Sequence, residues 1–260
     1  TLLRRADRAL QRAKRQHSGC EIYEAEDVNE DRDQLALVGD LRRAIAHGEL
    51  RLYYQPKANV ANRKIRSVEA LVRWQHPTRG FMPPDKFIPL AESSGLIRQL
   101  TYWVLDEAMR QAREWAEAGH GLKIAVNLSQ QSLLDESIHA EIERVLERHR
   151  VPAKALEIEI TESALVSDLS AANAALAKLD EMGIALSIDD YGTGYSSLSH
   201  VRGLPVSCIK IDRSFVSGML VDPKNAAIVR STIELARELG ITVVAEGVET
   251  MEEWDALAEL

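Results

Sequence analysis

Residues 169–190 read L-S-A-A-N-A-A-L-A-K-L-D-E-M-G-I-A-L-S-I-D-D. Ala172, Leu176, Leu179 and Met182 recur at helical spacing as a one-sided apolar stripe, which predicts a helix over Leu169 to Met182. Gly183 supplies the left-handed stop, and Ile184 to Asp189 is an apolar run of strand length. The same order of helix, glycine and apolar strand returns over Ala236 to Ala245 around Gly240. There Val229, Ile233, Ala236 and Leu239 mark the stripe of a helix from Lys224 to Leu239. A helix that ends in glycine and feeds an apolar strand is half of a βα unit, and such units build largely parallel sheets.

The alternation extends upstream. Strands are predicted at Arg51 to Gln55, Ser67 to Trp74, Leu122 to Ser129, Leu156 to Thr161, Ser207 to Ile211 and Thr242 to Glu246, with helices at Thr101 to Ala118 and Ser132 to His149. Together with Ile184 to Asp189, and with one more strand expected beyond the end of the chain, they predict an α/β, TIM-barrel-like (β/α)8 fold. An open doubly wound sheet is the alternative. Ahead of this domain, assigned to residues 34–260, a helix from Gln34 to Ala46 ends at Gly48. Residues 19–33 read as an acidic linker, or from Glu21 to Asp33 as a helix start, containing Glu24, Glu26, Asp27, Glu30, Asp31 and Asp33. Residues 1–18 read as a basic connector helix with Leu3, Ala6, Leu10 and Ala13 on one face.

The 40 acidic side chains outnumber the 32 basic ones, for a net charge of −8, which argues against duplex nucleic acid or an anionic membrane as partner. No apolar run approaches the roughly 20 residues that span a bilayer. Cys20 and Cys208 are far apart, so no disulfide framework or cysteine zinc site is expected, and the cytoplasm is the expected location. The opening residues lack an initiator Met and a signal peptide, and read as part of something longer that an upstream region could tether to a membrane.

In βα folds the carboxyl ends of the strands face the site. Those ends deliver Glu69, Asn127, Glu159 with Glu162 close behind, Asp189 with Asp190, Lys210 with Asp212, and Glu246 with Glu249. One strand-end carboxylate is ordinary as an N-cap or a solvated loop residue. Polar groups on six strands, mostly carboxylates, would repel one another unless cations neutralised them. Hard oxygen donors without His or Cys point to Mg²⁺, Mn²⁺ or Ca²⁺, and the adjacent Asp189 and Asp190 suit two ions about 3.5–4 Å apart. Two metals and a lysine suit phosphoryl chemistry, with Lys210 orienting or helping to deprotonate the attacking water. His76 reads as a loop or core histidine, and Trp74, Trp103, Trp115 and Trp254 as packing residues.

Glu69-Ala70-Leu71 within E-A-L-V-R-W is followed by P-P-D-K-F-I-P-L-A-E at residues 83–92. Further on come Tyr54-Gln55-Pro56, Asn127-Leu128-Ser129, Glu159-Ile160-Thr161-Glu162-Ser163, D-D-Y-G-T-G-Y-S-S-L at 189–198, Lys210-Ile211-Asp212 and A-E-G-V-E-T at 245–250. In type and order these motifs resemble the EAL-domain cyclic-di-GMP phosphodiesterases. The resemblance implies hydrolysis of cyclic di-GMP to linear pGpG on a TIM-barrel-like fold with one early antiparallel strand. It implies metal ligands at Glu69, Asn127, Glu159, Asp189, Asp190 and Glu246, and catalytic roles for Glu69, Lys210 and Glu246. It also implies substrate contacts at Gln55, Leu71 and Arg73, with Glu162 and Glu249 as supporting groups and Glu162 tying down the Asp190 to Ser197 loop. Two Mg²⁺ or Mn²⁺ ions would serve and Ca²⁺ would inhibit; a homodimer is expected. Residues 1–16 resemble the closing helix of a GGDEF domain, implying a GGDEF or sensory region upstream.

The Gly192-Thr193-Gly194 stretch lacks the P-loop spacing and Lys, and the resemblance implies a lid or dimer-contact loop there. Tyr191 replaces the family's usual Phe, and Leu260 falls short of the family's final strand and its glutamine. The competing reading is a weak or inactive cyclic-di-GMP receptor that signals through its dimer or connector. A different metal-dependent barrel enzyme, enolase-like, would share the carboxylates but not the ordered motifs.

Overall fold

The computed structural model describes residues 27–166, 169–193 and 203–260, with isolated positions 6, 10 and 13. The connector helix, most of the acidic linker and the loop beyond Thr193 therefore lie outside the described residues. The strands are β1 Leu50–Ala58, β2 Ile65–His76, β3 Gly80–Met82, β4 Lys123–Asn127, β5 Leu156–Thr161, β6 Ala185–Tyr191, β7 Cys208–Ile211 and β8 Thr242–Ala245. They form one sheet in the order β1-β2-β4-β5-β6-β7-β8, with β3 paired to β2. Strand β1 runs antiparallel to β2, and from β2 to β8 every neighbour on this path is parallel. A doubly wound sheet reverses its strand order at a switch point. This order follows the chain without reversal, so the sheet curls in the barrel sense, and among the described residues β1 and β8 end the path without pairing to each other.

The helices cover the outer face. They are α1 Asp27–His47, α2 Pro84–Ser94, α3 Ile97–Glu117, α4 Gln130–Leu133, α5 Ile138–His149, α6 Glu162–Val166, α7 Leu169–Glu181, α8 Arg213–Val216, α9 Pro223–Leu239 and α10 Met251–Glu259. In α3 the buried residues Ile97, Leu100, Thr101, Val104, Leu105, Ala108, Met109 and Ala112 recur every three or four positions, the stripe a helix needs to lie on a sheet. Helix α7 buries Ala172, Ala175, Leu176 and Leu179, and Gly183 follows it at φ +80°. Helix α9 buries Val229 and Ala236 as its pattern predicts and ends at Gly240 in the left-handed region, but Leu239 is exposed. None of the described helices is long and apolar enough to cross a membrane.

Several boundaries differ from the sequence reading for local reasons. The acidic segment, read as a linker or a helix start, becomes helical at Asp27, so the helix expected from Gln34 begins earlier. The single helix predicted over Ser132 to His149 is two. Asp135 Oδ1 accepts the backbone N–H of Ser137 at 3.0 Å and its hydroxyl at 2.6 Å, and this local turn displaces the helical ladder. Strand β3 and helices α2, α6, α8 and α10 were not anticipated. Helix α10 carried a legible start signal, since Thr250 and Glu253 form a reciprocal capping box. His76 is a core histidine bonded to Asp40 at 3.1 Å. Trp74 is buried edge-on to Phe87, and Trp115 packs edge-on to Tyr54.

Candidate active site

Strand alternation decides what fills the curl of the sheet. On β5, Leu156, Ile158 and Ile160 face the helices while Glu157 and Glu159 face inward, and all five are buried. Register then aligns the neighbours. Asn127 lies opposite Glu159, Ser187 opposite Glu159 on the other side, Asp189 opposite Thr161, and Ser187 opposite Cys208. Lys210, two residues beyond Cys208, shares that face. Barrel interiors are ordinarily filled by branched apolar side chains; this one holds charged and polar groups.

Lys210 is the hub, with its side chain 1% exposed. Its Nζ lies 2.7 Å from Glu159 Oε2 and from Glu246 Oε1, and 3.1 Å from Glu69 Oε2 and from Asp189 Oδ1. Asn127 Nδ2 donates to Glu69 Oε1 at 2.7 Å. Burial alone would strip the lysine of its proton, but the carboxylates of Glu159, Glu69, Asp189 and Glu246 overcome it and hold the ammonium form. The cost falls on the acids. Burial, opposed by Lys210 and reinforced by Glu69, raises the Glu159 carboxyl to about 7. Burial also raises Glu246 despite Lys210, and burial with the charges of Asp189 and Asp212 raises Asp190. One ammonium faces more carboxylates than it can neutralise.

An excess of carboxylates over cationic side chains is an arrangement that could hold metal cations. Ligand atoms of Glu69, Glu159 and Asp189 lie within 4.8 Å of one another, and so do those of Asp189, Asp190 and Glu246. The two triads share Asp189, and every donor is an oxygen, which fits hard divalent ions. Asp190 sits at φ +52°, a left-handed conformation that Asp tolerates better than most residues. Its N–H donates to Asp189 Oδ1 at 2.9 Å. This turn brings two adjacent carboxylates, which would diverge on a regular strand, into one cluster.

The cluster thus gathers Glu69, Asn127, Glu159, Asp189, Asp190, Lys210 and Glu246. Contrary to the sequence reading, Glu69 does not end its strand: β2 runs on to His76 because β1 and β3 pair with its outer half. The parallel ladder with β4 does stop at Ala70, so Glu69 still meets the mouth. Leu71 lines a cleft of about 490 Å³ shared with Asn127, Glu159, Ile97 and Leu128. Gln55 lies opposite Glu69 on β1 and is exposed, while Arg73 donates to the carbonyl of Val72 at 2.9 Å. Glu162 Oε2 accepts the N–H of Gly192 at 3.2 Å, and its buried Oε1 has no hydrogen-bond partner among the described residues. Glu249 is exposed and makes no hydrogen bond or ion pair to the cluster among the described residues; its backbone N–H instead caps onto Glu253 Oε2 at 2.8 Å.

Sequence reasoning missed Lys57 and Glu157, which lie beneath the cluster. Lys57 Nζ is 2.5 Å from Glu159 Oε1 and 3.0 Å from Glu157 Oε1. The available signal was parity: Glu157 is two residues from Glu159, and Lys57 two from Gln55, so each pair shares a strand face.

The model of the family described as EAL domain matches residues 38–260. The bifunctional diguanylate cyclase/cyclic di-GMP phosphodiesterase MucR of Pseudomonas aeruginosa is 42% identical over 261 residues, covering 100% of this chain and 38% of that protein. The cyclic di-GMP phosphodiesterase NbdA of the same organism is 42% identical over 227 residues, covering 87% of this chain and 29% of that protein. The chain therefore spans less than two fifths of these curated relatives. The solved structure described as PaMucR phosphodiesterase, c-di-GMP complex, superposes with a TM-score of 0.83 at 44% identity, covering 86% of this chain and 91% of that one.

Proposed function

Because the chain belongs to the EAL domain family, we propose that it is a cyclic-di-GMP phosphodiesterase, adding water across one phosphodiester to give linear pGpG. The observation that carries this reading is the ring of carboxylates around Lys210, which holds more negative charge than the lysine offsets. Related proteins named as phosphodiesterases supply the substrate. Glu69, Asn127, Glu159, Asp189, Asp190 and Glu246 would hold two Mg²⁺ or Mn²⁺ ions. When bound, these ions supply Lewis acidity at the phosphate and lower the pKa of water at the site. Ca²⁺ would inhibit, because it prefers larger and looser coordination.

The chain's own residues do the rest. Lys210 donates hydrogen bonds from a fixed, buried position, which suits it to orient the attacking water, and Glu246, 2.7 Å away, is placed to take that water's proton. The 3′ oxygen leaves with its bonding electrons as its bond to phosphorus breaks and takes a proton from solvent water, while the attacking water's proton rests on Glu246. The cleft at Leu71 offers an apolar wall for one guanine, with Gln55 and Arg73 on the strands beside it as further substrate contacts. Glu162 anchors the chain at Gly192, and the backbone N–H of Glu249 donates to Glu253 at the start of the last helix.

The same proposal places the activity in the cytoplasm, where a buried thiol such as Cys208 stays reduced. It includes a homodimer and an upstream GGDEF or sensory region. The test is chromatography of cyclic di-GMP incubated with the purified chain and Mg²⁺ or Mn²⁺, against the same mixture with EDTA. Metal-dependent pGpG is expected. Tight binding without product would favour a receptor, and neither binding nor product would overturn the reading.

A further inference from the structure

We propose that Lys57 is a positioning residue that aims the carboxylate of Glu159 into the metal cluster from below; the proposal rests on the reading of the site just given. Lys57 lies opposite Ser67 on β2, and Gln55 lies opposite Glu69. Since β1 runs antiparallel, Lys57 sits two residues deeper in the interior than Gln55, under the cluster rather than in it. Its side chain is 10% exposed, and that of Glu159 is 0% exposed.

Glu159 divides its two oxygens between two ammonium groups. Oε2 accepts from Lys210 at 2.7 Å on the side of the cluster, while Oε1 is held by Lys57 at 2.5 Å. Turning the carboxylate plane away from this orientation would break the lower charge-assisted contact, so Lys57 keeps one oxygen of Glu159 directed at the cluster. A second cation beneath a metal site would ordinarily repel the metal. Here its charge is matched: Glu157 Oε1 lies 3.0 Å from Lys57 Nζ and accepts the Ser187 hydroxyl at 2.6 Å, and Lys123 stands 3.5 Å from Oε2. Lys57 and Glu157 pair as a pedestal that gives Glu159 direction with the lysine's charge offset by its own partner, while Lys123, more exposed, flanks the far oxygen of Glu157. The pedestal joins the antiparallel first strand to a ligand 102 residues later.

The experiment compares wild type, Lys57→Met and the double variant Lys57→Met/Glu157→Gln by Mn²⁺ calorimetry, thermal melting in chelator, and cyclic-di-GMP kinetics. Lys57→Met is expected to weaken Mn²⁺ binding about ten-fold and to lower kcat with little change in KM. It also melts earlier, because Glu157 loses a buried partner. The double variant, which removes the pedestal without changing net charge, is expected to recover the melting temperature but not the Mn²⁺ affinity. It carries the comparison if the single variant does not fold. Wild-type Mn²⁺ affinity in either variant would overturn the positioning role, leaving Lys57 as a structural counter-charge for Glu157. A wild-type chain that takes up no Mn²⁺ would overturn the metal reading itself, and this proposal with it.

Discussion

Lys210 Nζ and Glu246 Oε1 lie 2.7 Å apart, joining the inner face of β7 to the first residue after β8. The contact sets the lysine among carboxylates from β2, β5 and β6 as well, and fixes what its removal should do.

Taking away one partner of a buried ion cluster leaves the others uncompensated, at roughly 3–5 kcal/mol. Lys210→Met should lose about that much stability in chelator, and the gap should narrow when Mg²⁺ replaces the missing charge. Turnover should fall by about 100-fold or more, with a smaller effect on metal affinity. Denaturant melts with and without metal check the first expectation, and initial rates the second. A variant as stable as wild type in chelator would show that the ammonium is not what balances the acids.

Glu69 and Asp189 each contribute an oxygen to a candidate ligand triad. Glu69→Ala and Asp189→Ala should each depress metal-dependent hydrolysis by at least about 100-fold while the far-ultraviolet circular dichroism stays that of the wild type. Wild-type rates in either would remove that residue from the ligand set.

Gly247 follows Glu246 at φ +68°, and a Cβ there would lie 2.6 Å from Arg213 Cβ. Gly247→Ala therefore combines a left-handed strain with a steric clash, for roughly 1–3 kcal/mol of lost stability. It should also displace Glu246, so turnover should fall more than the folded fraction does. Parallel melting and rate measurements separate the two effects.

Asp135 provides a pH signature remote from the cluster. Burial acts to raise its carboxyl, but hydrogen bonds from Ser137 and Tyr102 and the charge of Arg98 prevail and hold it below the usual range. A carboxyl depressed in the folded state contributes stability above its unfolded pKa, near 3.9, and loses that contribution as the pH falls through the folded value. Asp135→Asn should cost about 1 kcal/mol at neutral pH, with the difference from wild type closing in acid below about pH 3.9. A pH-independent difference would assign the residue a purely steric role.

The parts of the site legible in the sequence were those that follow from type and order. The carboxylates after Ile188, Ile158 and Ala245 were visible as polar ends of apolar runs, and the glycines at 183 and 240 marked where helices stop. The break of one predicted helix at Asp135 was not legible, because it depends on a side chain outcompeting the helix for a backbone N–H. Glu249 was expected to support the cluster from behind Glu246. Three residues of chain beyond the strand are enough to turn it outward, and Glu253 takes its N–H instead.

The sequence by itself determined the alternation of strand and helix, the family motifs and the chemical type of the site. These are local or ordered along the chain, and side-chain parity and helical period express them directly. Only the tertiary structure decided that Lys210 would stand among four carboxylates, that Asp189 would belong to two triads, and that Lys57 would reach up beneath Glu159. Those facts depend on register between strands up to 141 residues apart. Register is fixed by the packing of the whole sheet, so no single strand's own sequence contains it.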